Sequence, residues 1–313
     1  MTHPLATAPR RGRVLGFLAL AGLVVAAVQR MDVARAVAQL GTVRAQWLLL
    51  ATFCYAAILP LWAMQWRLLA PRGRVRRPGD MLGVVALTSA VLNTTPLLVG
   101  EATAVVLLVT RAGLDRASAL SVLAMDQLLV GMAKLVVLAV AAVAAPLPPW
   151  MTRAVLGLCV ALFALGSALL LAAWRHADIA GWSSRILPPR GAQALGAFAS
   201  SLEPLRSGSR GMPALALALL KKAAEVAAII CVQRAFGVHL PVAGAVLVLA
   251  VLNLATLLPV VPGNVGVFEA AVVLALTRMG VEPELALGIA VVQHLCYFAA
   301  LAVPGLVWAA RKQ

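Results

Sequence analysis

Acidic side chains are scarce in this chain: 11 Asp and Glu in 313 residues, against 26 Lys and Arg. Only 12% of residues are charged and 5% aromatic, whereas 63% are hydrophobic. An ordinary soluble domain carries roughly a quarter charged residues, so that class is excluded. A mean hydropathy of +0.97 indicates a polytopic helical membrane protein instead. With most of the chain in apolar runs, there is no room for a sizeable soluble catalytic domain. Histidine is equally thin, with His3, His176, His239 and His294 too dispersed to form a cluster. Cys54, Cys159, Cys231 and Cys296 fall in separate apolar runs without a Cys-x-x-Cys pair, so neither a disulfide framework nor a metal site is indicated. There is no Ser/His/Asp set and no Walker-type loop. No catalytic residue, metal or cofactor is expected.

What the chain does have is basic charge, a formal net +15. The arginines sit in short loops without aromatic interleaving, which argues against nucleic acid and for a topology signal. Seventeen basic residues fall at 1–13, 67–77, 111–116, 175–210 and 311–312, and six at Arg30, Arg35, Arg44, Arg153, Arg234 and Arg278. The first set is expected on the cytoplasmic side. Clear spans are Val14–Val28, Trp47–Leu69, Ala117–Ala145, Met151–Trp174, Met212–Arg234 and Glu284–Ala310. The first is short and follows Arg10, Arg11 and Arg13, so a cleaved signal peptide is an alternative to a retained span.

Two apolar regions do not fit as simple spans. Met81–Thr110 is interrupted at Asn93-Thr94-Thr95-Pro96, and 242–279 breaks at Pro259–Gly266. A crossing takes about 20 residues, so the first region is long for one and short for two. Keeping the basic loops on one side makes each a re-entrant hairpin, the first opening inward and the second outward. The expected fold is all-α, with about six spanning helices and two oppositely oriented re-entrant hairpins, about 81–110 and 242–279. They form a single transmembrane domain over 14–310, between cytoplasmic termini at 1–13 and 311–313. Apolar spacing over 32–46 suggests an amphipathic helix on the outer interface. The stretch at about 175–211 reads as a cytoplasmic loop holding a short surface helix.

Unpaired backbone and carboxylates at membrane depth are costly, and survive where protein or a wet cavity surrounds them. Glu101 and Glu269 follow the two breaks in matching positions. They could handle a cation, a proton or a lipid amine, or could simply fix their hairpins. Amides at Gly263, Asn264, Val265 and Gly266 would form an anion receptor if the return helix begins near Asn264. Asp126 and Lys134 lie eight residues apart, on similar faces of one helix. Lys221 and Glu225 are spaced as an (i, i+4) pair, with Lys222 adjacent. Gln293 and His294 lie inside the last span, where a lone histidine is either packing or a proton relay.

The run Leu258–Ala271, reading Leu-Pro-Val-Val-Pro-Gly-Asn-Val-Gly-Val-Phe-Glu-Ala-Ala, resembles the signature of the lysylphosphatidylglycerol synthase transmembrane family. That family comprises flippase-like proteins related to the lipid-translocating half of the bacterial multiple peptide resistance factor. Gly100-Glu101 and the basic turn Arg111–Arg116 fit a second landmark, and the resemblance covers about 14–310. It implies a protein of the cytoplasmic (inner) membrane that binds or translocates a lipid or lipid-linked headgroup. On the reading of the residues above, Glu101, Glu269, Asp126, His294 and the Gly263–Gly266 amides are the candidate substrate- or ion-binding residues. The chain departs from the family pattern after Glu101, at Asp126-Gln127, and near Gln293 and His294, where arginines are usual, which implies a divergent subgroup. The synthase activity of longer relatives resides in a soluble C-terminal domain that this chain is expected to lack. The partners implied are membrane lipids. An alternative is a non-transporting scaffold for enzymes of lipid, hopanoid or glycolipid synthesis.

Overall fold

The computed structural model describes residues 43–71, 73, 78–95, 99–144, 149–175, 188–257 and 261–310. The expected span Val14–Val28, nearly all of the amphipathic stretch 32–46 and both termini lie outside the described residues. Every regular element among the described residues is helical: α1 (Ala45–Ala56), α2 (Ile58–Leu69), α3 (Pro78–Thr94), α4 (Val99–Thr110), α5 (Arg116–Ala144), α6 (Pro149–Trp174), α7 (Pro189–Ser200), α8 (Glu203–Arg206), α9 (Gly208–Ala235), α10 (Val242–Ala255), a 3-10 turn (Pro262–Asn264), α11 (Val267–Arg278), α12 (Pro283–Leu301) and α13 (Val303–Ala310). Three stretches are long and apolar enough to cross a membrane: Ala45–Leu69, Arg116–Val143 and Pro283–Ala310. With the shorter apolar helices around them, they make this an integral membrane protein.

Two expected spans run through as single helical stretches but each loosens at one residue. The Trp47–Leu69 span does so at Ala57 between α1 and α2, and the last one at Ala302 between α12 and α13, both residues keeping right-handed helical angles. The cause is local in both. Pro60 and Pro304 lack an N–H, so the carbonyl four residues back loses its helical partner and the ladder loosens there. The expected breaks in the two irregular regions are present. α3 ends at Thr94 and α4 starts at Val99, while α10 ends at Ala255 and α11 starts at Val267.

Polar side chains close the helix ends at these breaks. Asn93 Nδ2 donates to the Ser89 carbonyl at 2.8 Å, and the Thr94 and Thr95 hydroxyls to Ala90 and Val91 at 2.7 Å each. Thr256 does the same at the end of α10, bonding the Leu252 carbonyl at 2.7 Å. Folding back four residues gives each of these side chains a partner in an apolar setting.

α5 and α9 form the centre. α9 packs along α1, α2, α5 and α10, while α5 also meets α4 and α6. In an apolar solvent helices gain little from hydrophobic exclusion, so close approach through small side chains has to hold them. The core accordingly runs through Ala51, Ala119, Ala133, Ala214, Ala218, Ala228 and Ala245, all buried. α6 lies at the rim, with Phe163 78% and Leu156 65% exposed, an apolar face suited to acyl chains. The surface helix expected in the 175–211 connection is α7. Arg210, counted among the loop charges, is instead buried at the start of α9, 2.6 Å from Glu203 and hydrogen-bonded to the Ala70 carbonyl. It ties the connection to the end of α2.

Candidate functional site

The two breaks meet. Gly263, in the 3-10 turn with φ of 62°, lies so close to α3 that a Cβ there would sit 2.9 Å from the Asn93 carbonyl oxygen. Only glycine combines that left-handed backbone with so near a neighbour. Asn264 follows with φ of 55°, a conformation asparagine tolerates better than most residues.

Beside this junction is a cavity of about 340 Å³ between α2, α5, α9 and α10, with Asn93, Gly263 and Asn264 in its wall. Its lining holds three carboxylates and three lysines: Glu101, Asp126, Glu225, Lys134, Lys221 and Lys222. Lys222 Nζ donates to both Glu225 oxygens at 2.8 Å and to Asn253 Oδ1 at 3.3 Å. Lys221 lies 3.9 Å from Asp126, with side chains only 7% and 4% exposed, and 5.4 Å from the centre of the Trp62 ring. The (i, i+4) pair expected between Lys221 and Glu225 is therefore replaced. Lys222 reaches Glu225 one step closer along α9, which turns Lys221 across to α5. Asp126 and Lys134 do face the same space, as their spacing indicates.

Glu101 and Asp126 line the cavity, but Glu269 and His294 do not. Glu269 accepts the Gly266 amide at 2.7 Å, satisfying a free N–H at the start of α11, and its other oxygen accepts from His294 Nδ1 at 2.7 Å. Phe268 stacks on the His294 ring at 4.2 Å. Glu269 and His294 thus pin α11 to α12, and Phe268 alone of this group reaches the cavity wall.

The expected anion receptor is largely closed. The Asn264 and Val265 amides donate to the Val261 and Pro262 carbonyls at 3.0 and 3.4 Å, and the Gly266 amide is held by Glu269. α11 begins at Val267 rather than near Asn264, because Gly266 breaks the backbone with φ of 84°. The wall also contains residues that the sequence did not single out: Tyr55 and Tyr297, the only two tyrosines of the chain, and Asn253. The tyrosine rings meet edge-on at 5.4 Å. The available signal was rarity, a lone polar side chain within an apolar run.

A helical membrane bundle with a partly open, charged cavity where two interrupted helices touch defines the class. A family model for the lysylphosphatidylglycerol synthase TM region matches residues 13–305, and the chain belongs to that family. No curated protein and no solved structure shows significant similarity to the chain.

Proposed function

We propose that this protein is a non-enzymatic lipid translocase or lipid-binding protein of the cytoplasmic membrane, in which the cavity receives a lipid or lipid-linked headgroup. The observation that carries this reading is the set of six ionisable side chains gathered around a partly open cavity of about 340 Å³ inside an apolar bundle. Charges at that depth are costly and mark pathways rather than packing. In this reading the pairs α3/α4 and α10/α11 are re-entrant hairpins entering from opposite faces, so that their touching ends divide the path. The basic segments and termini lie on the cytoplasmic side. α6 faces lipid, and headgroups slide past the bundle while their acyl chains stay outside.

Filling the cavity tests it. Purified protein in liposomes is expected to speed the exchange of fluorescent phospholipids between leaflets, and Val130→Trp, placing an indole in the cavity wall, is expected to stop it. Exchange no faster than in protein-free liposomes would overturn the transport reading and leave the scaffold reading, which requires a co-purifying enzyme.

A further inference from the structure

The six ionisable groups at the cavity are not equivalent. Lys222 is held by Glu225 and Asn253, and Lys221 is set against Asp126. By ion pairing two groups are left over, while Asp126, although set against Lys221, keeps a buried Oδ1 without a hydrogen-bond partner. Glu101 has a buried Oε2 with no hydrogen-bond partner. Lys134 makes no ion pair among the described residues, the cavity's lysine pairs being those of Lys221 and Lys222. A carboxylate and an ammonium held apart on one low-dielectric space each cost free energy until something of opposite charge arrives.

Resting on the reading of this cavity as a headgroup site, we propose that it selects a net-neutral headgroup bearing one phosphate and one primary ammonium. The phosphate is held by Lys134 and the ammonium by Glu101. The backbone at the second break is not available to hold the phosphate in place of Lys134, because three of its four amides are already bonded. A monoanionic headgroup would satisfy Lys134 and leave the Glu101 carboxylate bare. A doubly cationic one would bring excess charge to a wall whose three acids and three lysines balance. Asn93 and Asn264 line the same wall and supply amide groups for uncharged hydroxyls of the headgroup.

The test is binding, which does not depend on transport. The full chain in detergent is titrated calorimetrically with dihexanoyl-phosphatidylethanolamine, dihexanoyl-phosphatidylglycerol and water-soluble glycerophosphoethanolamine. The ethanolamine lipid is expected to bind about tenfold tighter than the glycerol lipid, the scale of one charge-assisted contact. Glu101→Gln should erase that preference by weakening the ethanolamine lipid alone, and Lys134→Gln should weaken both lipids by similar factors. Amine-dependent binding of the lipid but not the soluble ester assigns a membrane source. Amine-dependent binding of both admits a soluble one, and either supports the proposal. Equal affinities for the two lipids, or a preference that survives Glu101→Gln, would overturn it while leaving the headgroup site standing. Binding of neither lipid would remove the site itself. Should Glu101→Gln fail to fold, direct competition of the dihexanoyl ethanolamine lipid against the dihexanoyl glycerol lipid on the wild type reads the same preference.

Discussion

Gly263 is constrained by both its backbone angle and a neighbouring backbone oxygen. Its positive φ and the Asn93 carbonyl 2.9 Å from a notional Cβ leave no place for a side chain. Gly263→Ala is expected to lower stability by about 1 kcal/mol from the backbone alone, and further from the collision. Thermal unfolding in detergent checks this, and an unchanged midpoint would mean the two breaks do not touch. Lys222 and Glu225 make a partly buried pair at 2.8 Å, with side chains 13% and 15% exposed. Removing either partner is expected to cost up to about 3–5 kcal/mol, because the survivor is left uncompensated. Removing both should cost less than the two single losses together, which a double-mutant cycle measures. Glu269 behaves differently, being a cap and a partner of His294 rather than part of the cavity wall. Glu269→Gln is expected to reduce stability by about 1 kcal/mol while lipid exchange continues. Lost exchange at unchanged stability would return Glu269 to the pathway.

At the scale of elements, the broken regions were readable because each break is written locally. Asn93 to Pro96 and Pro259 to Gly266 cannot continue an apolar helix, and α3, α4, α10 and α11 end and begin around them. The loosened turns at Ala57 and Ala302 carry a weaker version of the same signal, one proline each, within runs that the sequence presents as simple spans. The contact between the two breaks was not readable at all, since Asn93 and Gly263 are 170 residues apart. It can be trapped. With Cys54, Cys159, Cys231 and Cys296 replaced by alanine, cysteines at Asn93 and Asn264 are expected to join under a short bifunctional thiol reagent and to arrest lipid exchange. Modification of both thiols without a cross-link would place the breaks apart.

Over the whole molecule, the charge distribution sets the orientation expected in a membrane. Gln193, on α7 beside Arg190, lies in the connection read as cytoplasmic. A cysteine there is expected to react with an impermeant thiol reagent in inside-out vesicles and not in intact cells. Reaction in intact cells alone would invert the topology. Membrane class, the helical character of the described segments and the two breaks after Asn93 and Pro259 followed from the sequence by itself, because run length, hydropathy and Pro/Gly placement act over one or two helical turns. Tertiary structure alone decided which lysine meets which acid, that Glu269 turns to His294 and away from the cavity, and that three of the four amides at Gly263–Gly266 are already bonded. These outcomes depend on helices brought together from distant parts of the chain, where a rotation of one residue exchanges the partners of Lys221 and Lys222. No local pattern encodes that rotation; packing of α9 against α1, α2 and α5 does.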